Sequence, residues 1–201
     1  MTGLGDVYKV PARTGTEPIT EEANLTDFWR WMGSDLVTNT MRGTLAEYLV
    51  ALAVGAADGV REEWAPYDVE TEDGIKIEVK SSAYLQSWPQ KKESAPRFGI
   101  PRRQVDVAIA EEHANEQKRR SDVYVFCLLR HRENKATLDP LDMAQWTFYV
   151  LPTATLDDRL GDQKEIGLNT LEELRATEVS FGGIAGAVRK AAPPPRNQRV
   201  S

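Results

Sequence analysis

The sequence has few of the side chains that most metal and nucleophile sites require. Its 201 residues include one cysteine and two histidines, so a structural zinc site with four Cys or His ligands is not expected. Cys127 lies in the apolar run Val123–Leu129, which predicts a buried thiol rather than a nucleophile or a disulfide partner. The chain also lacks a glycine-rich phosphate loop and a Ser/His/Asp arrangement.

Long apolar runs are also missing. No stretch is long enough to span a membrane, and the N-terminus lacks the basic, apolar and small-residue order of a signal peptide. We therefore expect a cytoplasmic protein with no membrane partner. The length fits one α/β domain, which we place at residues 26–190, after an extended arm (1–25) and before a disordered proline-rich tail (191–201).

An excess of positive charge is absent overall, because 31 Asp and Glu outnumber 25 Lys and Arg and give a formal net charge of -6. This balance argues against a protein that coats nucleic acid without specificity. Residues 81–135 are the exception, with 11 Lys and Arg against 7 Asp and Glu. This region can supply cations for phosphates, although a solvated helix face would have the same composition.

The most informative feature that is present is the tripeptide Glu78-Val79-Lys80. It ends an alternating run in which Ile75, Ile77 and Val79 share one face of a predicted strand. Glu78 and Lys80 then lie together on the opposite, polar face. An exposed strand also carries such residues merely for solubility, so the tripeptide needs support from its surroundings.

A predicted hairpin supplies that support. Residues 67–71 form a short strand, and Glu72-Asp73-Gly74 has the length and late glycine of a three-residue loop. If Thr71 pairs with Ile75, Asp68 lies opposite Glu78, with Cβ atoms about 4.5–5.5 Å apart. Two facing carboxylates repel unless a cation lies between them, and oxygen-only ligands favour Mg²⁺ or Mn²⁺ over zinc. A two-residue turn would shift this register by one.

An apolar helix precedes the hairpin, predicted over residues 41–54 with Gly55 as its stop. Leu45, Tyr48, Leu49 and Leu52 have helical spacing and predict a buried face. Glu47 is the only acid in this helix, and a buried carboxylate needs a partner or a cation. It is either part of the candidate site or the last residue of a capping box, Thr44-x-x-Glu47.

Together these residues resemble the signature of the PD-(D/E)XK, or restriction-endonuclease-like, nuclease superfamily. The resemblance covers residues 42–130, and its motif is of moderate specificity. Pro66-Tyr67-Asp68 departs from the family's Pro-Asp pair by one inserted residue. The resemblance implies an α/β fold with a restriction-endonuclease-like core, a mixed central sheet of about four to five strands flanked by helices.

The resemblance also implies roles for residues. Asp68 and Glu78 would bind Mg²⁺, with Mn²⁺ as a substitute, Lys80 would act on the nucleophilic water, and Glu47 would be an additional ligand or orienting acid. Glu70 competes with Asp68 because it shares that strand face. The candidate substrate-binding residues are Gln86, Arg42, Lys91, Lys92, Arg102 and Arg103.

The implied function is metal-dependent hydrolysis of phosphodiester bonds in DNA, in restriction, repair or a mobile element. DNA is the expected partner, and a homodimer or a further protein subunit is compatible with such enzymes. Two alternatives stay open. One is a nuclease fold that has lost catalysis and binds nucleic acid or protein, and the other is a small α/β interaction protein with a coincidental motif.

The remaining segments mainly organise the fold. Strands are predicted at Val123–Leu129 and 145–151, and helices at 27–36, 104–118, after Pro152, at 170–176 and at 185–191. The aromatic residues of the first helix, Phe28, Trp29 and Trp31, are expected in the core, with base stacking as the alternative.

Overall fold

The computed structural model describes residues 11–63, 65–104 and 117–194. The helices are α1 (Leu25–Gly33), α2 (Asn39–Val54), α3 (Thr153–Leu160), α4 (Leu168–Glu173) and α5 (Ile184–Ala191). The strands are β1 (Val69–Glu70), β2 (Lys76–Ala83), β3 (Arg97–Gly99), β4 (Arg103–Gln104), β5 (Gln117–Lys118), β6 (Val123–Leu129), β7 (Trp146–Pro152), β8 (Glu165–Gly167) and β9 (Thr177–Val179). None of the described helices is both long enough and apolar enough to cross a membrane.

The main sheet is mixed and has the order β1-β2-β6-β7-β9 among the described strands. β2 runs parallel to β6, whereas the β1–β2, β6–β7 and β7–β9 pairs are antiparallel. Helices flank this sheet, so the predicted α/β fold with a mixed sheet of four to five strands is confirmed.

Both faces of the sheet are covered, and β6 is therefore buried along its whole length. On one face, α2 and α5 cover Ile77 and Val79 of β2 and the residues of β6 and β7 that share their side. On the other face, Tyr124 and Phe126 pack with apolar side chains from β3, β8, α3 and α4. Because side chains alternate along a strand, Glu78 and Lys80 point away from α2.

The β1–β2 hairpin has the predicted register. Val69 pairs with Ile77 and Glu70 with Lys76, and the Thr71 N–H donates to the Ile75 carbonyl at 3.0 Å. Gly74 closes the loop with a φ of 77°, a left-handed value that favours glycine. The same register continued by one residue places Asp68 opposite Glu78.

Helix α2 begins two residues earlier than predicted. Thr38 caps it, since its hydroxyl accepts a hydrogen bond from the Met41 N–H at 3.3 Å, and Gly55 ends it with left-handed φ. The Thr44 hydroxyl instead donates to the Thr40 carbonyl within the helix. The capping-box interpretation of Glu47 is therefore wrong, because Glu47 lies in the middle of the helix.

Two predictions of packing were also wrong. Helix α1 has no buried residue, and Trp31 is 83% exposed, so the aromatic residues of this helix are on the surface rather than in the core. Tyr48 and Leu52 of α2 are about half exposed, because the helix presents Ala46 and Val50 to the sheet together with Leu49, whose predicted burial is confirmed. Apolar residues occur on all sides of α2 itself, so their spacing alone does not identify the face that is buried.

The helix predicted at 104–118 is wrong at both ends. β4 and β5 pair there as a short antiparallel ribbon, with Arg103 opposite Lys118. Residues 105–116, the centre of that prediction, lie outside the described residues, as do residues 1–10 of the predicted arm and 195–201 of the predicted tail.

The core of the second sheet face gives a stability prediction. Phe126 is fully buried, edge-on to Phe98 at 5.2 Å between ring centroids and stacked on Tyr124 at 5.6 Å. We expect Phe126→Ala to lower the free energy of unfolding by about 3–5 kcal/mol, since it leaves a cavity that the sheet cannot close. Urea denaturation measures this loss.

The exposed Trp31 provides the matched control for Phe126. We expect Trp31→Ala to change the same free energy by no more than about 0.5 kcal/mol, because the ring contributes little to packing. Equal losses in the two variants would contradict the described core.

Candidate active site

The candidate site lies beside the first residue of β1, Val69, because β1 leaves the edge of β2 uncovered beyond this point. β1 pairs with Lys76 and Ile77 only, whereas β2 continues to Ala83. The Val79 N–H at this edge donates to Asp68 Oδ2 at 2.6 Å, so an aspartate side chain replaces the missing strand. The hairpin thereby fixes the carboxylate of Asp68 against the backbone of β2.

Lys80 joins the two predicted carboxylates. Its ammonium nitrogen lies 2.6 Å from Glu78 Oε1 and 3.9 Å from Asp68 Oδ2. Glu78 is only 7% exposed, while the side chains of Asp68 and Lys80 keep about a fifth of their surface in contact with solvent. The three residues predicted from the sequence are thus brought together, with one side open to a ligand.

The donor set fits a hard divalent cation. Asp68 and Glu78 offer carboxylate oxygens that one ammonium can reach, and Mg²⁺ is commonly held by one or two carboxylates together with water and phosphate oxygens. Within the described ranges, no three His, Cys, Asp or Glu side chains lie close enough to hold a metal. The residues therefore fit a site with two protein carboxylates rather than three.

Glu47 has a different partner. Arg61, in the connection between α2 and β1, donates from Nε to Glu47 Oε2 in a short ion pair. The carboxylates of Glu47 and Asp68 both raise the pKa of Arg61, with Glu47 having the larger effect. Glu47 and Asp68 line one mainly apolar cavity of about 530 Å³. Glu47 is therefore next to the site, but its charge is balanced by Arg61.

Glu70, which competed with Asp68 for the metal-ligand role, is directed elsewhere. Its carboxylate accepts a short hydrogen bond from the Tyr67 hydroxyl, which raises the pKa of Tyr67 to about 12. The Glu70 side chain is exposed, and in the described part of the structure no hydrogen bond or ion pair joins it to Lys80. Of these two acids, Asp68 is therefore the one that lies opposite Glu78 and near the Lys80 ammonium.

Two of the predicted substrate-binding residues meet in the interior. Arg42 of α2 is 4% exposed and Gln86 is 6% exposed, and Arg42 donates to Gln86 Oε1 at 3.2 Å. Gln86 also donates to the Ala83 carbonyl at 2.8 Å, which ties it to the end of β2. Both residues line a cavity just beyond Lys80.

The other predicted cations are dispersed. Lys91 and Lys92 are exposed in the connection between β2 and β3. Arg102 forms ion pairs with Asp157 at 3.2 Å and Asp162 at 3.0 Å, on the side of α3. Arg103 lies in β4, and its side chain is outside the described part of the structure.

Sequence reasoning missed Arg61, and it included Arg97 only as one cation of the basic segment. Arg61 pairs with Glu47, and Arg97 of β3 lines the same cavity as Arg42. Arg61 is flanked by acids in the sequence, and Arg97 belongs to the basic segment that begins at residue 81. Only the fold distinguishes them from other surface cations.

The fold and the side chains together define a class of protein. A mixed α/β sheet presents two carboxylates and a lysine at an open strand edge, an arrangement suited to the hydrolysis of phosphate esters. A family model of bacteriophage T4 endonuclease IV matches residues 30–159, well over half of the chain. The chain therefore belongs to the bacteriophage T4 endonuclease IV family. Among curated proteins, no sequence matches it.

Proposed function

We propose that this protein is a metal-dependent DNA endonuclease of the PD-(D/E)XK type. The observation that carries the proposal is the meeting of Asp68, Glu78 and Lys80 at the open edge of β2, in a member of an endonuclease family. Asp68 and Glu78 would hold Mg²⁺, for which Mn²⁺ substitutes. When bound, the metal supplies positive charge that offsets the charge developing on the phosphate.

Lys80 has the central role among the protein's own groups. Its ammonium holds the attacking water by a hydrogen bond and stabilises negative charge on the phosphate oxygens. The water oxygen forms the new bond to phosphorus while the bond from phosphorus to the leaving sugar oxygen breaks. One proton of the water stays on the new phosphate oxygen, and the other passes through solvent to the leaving oxygen. Glu78 keeps the Lys80 ammonium in place at 2.6 Å before substrate arrives.

The surroundings support a nucleic-acid substrate. The cavity of about 530 Å³ beside Asp68 has apolar walls that suit a sugar or base, and Tyr48 and Tyr67 contribute to its lining. The Glu47–Arg61 pair lies in the same cavity and positions Arg61 near Asp68. DNA is proposed as the substrate because the family to which the chain belongs is named after an endonuclease of bacteriophage T4.

Metal addition and removal test this function directly. We expect the purified protein to cut supercoiled plasmid or single-stranded DNA with Mg²⁺ or Mn²⁺, and to stop when EDTA is present in excess. Two carboxylates and an ammonium leave the site short of positive charge for a phosphate, so a divalent cation is needed. Agarose gel electrophoresis of the plasmid forms and denaturing gels of the oligonucleotide measure the two reactions.

The failure of this experiment is also informative. Cutting that persists unchanged in EDTA would contradict metal dependence. A folded protein that binds DNA tightly but never cuts it with either metal would favour the alternative of an inactive nuclease fold.

A further inference from the structure

Arg42 is a buried cation whose hydrogen bonds to the described residues all go to neutral groups. Its guanidinium donates to the Val37 carbonyl at 3.1 Å, to Gln86 Oε1 at 3.2 Å and to Asn39 Oδ1 at 2.7 Å. Its Nε is buried and meets no hydrogen-bond acceptor among the described residues. Loss of hydration in this setting lowers the pKa of Arg42. A buried charge of this kind is costly unless an anion balances it.

Arg119 shows how the same fold stabilises a buried guanidinium that has a structural role. Its side chain is fully buried, and it donates to Asp157 at 2.6 Å and to the carbonyls of Ile100, Gly161 and Gln163. A carboxylate therefore neutralises Arg119 inside the protein. None of the hydrogen bonds of Arg42 to the described residues goes to a carboxylate, which leaves the Arg42 guanidinium available to an anion from outside the protein.

A cavity gives that anion access to Arg42. It has a volume of about 290 Å³, and its lining includes Arg42, Gln86, Ser81, Ser82, Trp88 and Arg97. Arg97 is exposed at this cavity, and its guanidinium has no hydrogen bond or ion pair to the described residues. The described lining has two arginines and no carboxylate, so the cavity attracts negative charge.

The position of the cavity relates it to the candidate active site. Ser81 and Ser82 directly follow Lys80 on β2, and a strand advances about 3.3 Å per residue. The cavity thus begins one or two residues beyond Lys80, a distance comparable with the spacing of backbone phosphates in a nucleic-acid strand. Trp88, about half exposed, lies at the rim, where an indole can stack on a base.

We propose that the Arg42 cavity binds a backbone phosphate of the DNA strand that passes Lys80, with Arg42 as the buried anchor and Arg97 as the second cation. This inference rests on the proposed function, because it takes DNA as the ligand. Arginine suits the task, since its planar guanidinium offers several donors to phosphate oxygens at once. The cavity then holds the DNA strand in a fixed position, so that the carboxylates and Lys80 act on a neighbouring phosphate.

The test measures how DNA binding depends on salt, using the full chain in EDTA so that no cutting occurs. The probe is a fluorescein-labelled 20-nucleotide single strand, and its affinity is measured by fluorescence anisotropy at several salt concentrations. We expect Arg97→Gln to weaken binding about tenfold and to reduce the slope of log affinity against log salt by about 0.7. Arg42→Lys keeps the charge and is expected to weaken binding with a smaller change in slope, because lysine cannot form the same fork of hydrogen bonds.

Control variants separate this effect from misfolding and from general charge. Arg159→Gln removes an exposed arginine of α3 and is expected to leave affinity and slope close to wild type. Arg97 is exposed, so its variant tests the cavity even where a change at buried Arg42 lowers the melting temperature. Unchanged affinity and slope in folded Arg97→Gln, or equal losses in Arg159→Gln, would overturn the proposal.

The outcomes for the two proposals are distinguishable. A reduced slope in Arg97→Gln, with no cutting by the wild type in any metal, would support the phosphate cavity and reject the endonuclease. Metal-dependent cutting by the wild type, with an unchanged slope in Arg97→Gln, would reject the cavity alone.

Discussion

Glu78→Gln is expected to reduce metal-dependent cutting of DNA by more than about 100-fold. Residues that merely support a metal ligand are worth about 10–100-fold, and Glu78 is proposed to be a ligand itself. Glutamine keeps the volume of the side chain and one oxygen in a position that is only 7% exposed, but it removes the negative charge. The variant therefore tests the charge at this position with little change in packing. The measurement is the rate of plasmid nicking with saturating Mg²⁺.

The control for Glu78 is Glu70→Gln, which removes an acid from the neighbouring strand. Glu70 accepts a hydrogen bond from Tyr67 at the surface, so we expect nearly normal cutting. In Glu78→Gln the Lys80 ammonium loses the negative charge of a partner at 2.6 Å, and a melting curve must show that the variant remains folded. Full activity in folded Glu78→Gln, or equal losses in both variants, would remove Glu78 from the proposed centre.

The hairpin that positions this centre was predictable because its determinants are local. Glycine at the end of a three-residue loop fixes the turn, and alternation of apolar residues fixes the face of each side chain. Gly74 has the left-handed φ that this loop requires, and Asp68 follows in register opposite Glu78. The strand at Val123–Leu129 and its buried Cys127 were predictable for a similar reason, since an unbroken apolar run fits a strand covered on both faces.

Contacts between distant segments could not be derived in this way. Glu47 is paired with Arg61, which lies in the connection between α2 and β1, and the sequence pattern does not specify the path of this connection. The exposed aromatic side chains of α1 have the spacing of a packed helix, yet no described element covers them. Arg42 and Gln86 are 44 residues apart, and only the packing of α2 on β2 brings them together. These features depend on tertiary packing, which local propensity does not encode.

Lys80→Ala and Asp68→Asn are expected to separate metal binding from catalysis. Lys80→Ala keeps both proposed ligands and removes a cation that lies 2.6 Å from Glu78, so Mg²⁺ or Mn²⁺ should bind at least as well as in wild type. Cutting should nevertheless fall by about 100- to 10,000-fold, the range for a group that positions or activates a nucleophile. Asp68→Asn loses a proposed ligand, and we expect it to lose both metal binding and cutting. Isothermal titration with Mn²⁺ and the nicking assay measure the two properties.

Lys76→Ala is the matched control for Lys80, because it removes a lysine from the same face of the same strand. Lys76 lies over the ring of Tyr67, with its ammonium 5.0 Å from the ring centre, and is not part of the carboxylate pair. Normal cutting in Lys76→Ala beside an inactive, metal-binding Lys80→Ala would assign the chemistry to the position of the ammonium rather than to the net charge of β2. Cutting at the wild-type rate in Lys80→Ala would contradict that role. Metal affinity unchanged in Asp68→Asn would instead show that the cation is held elsewhere, and that the Val79 N–H and the Lys80 ammonium alone account for the position of the Asp68 carboxylate.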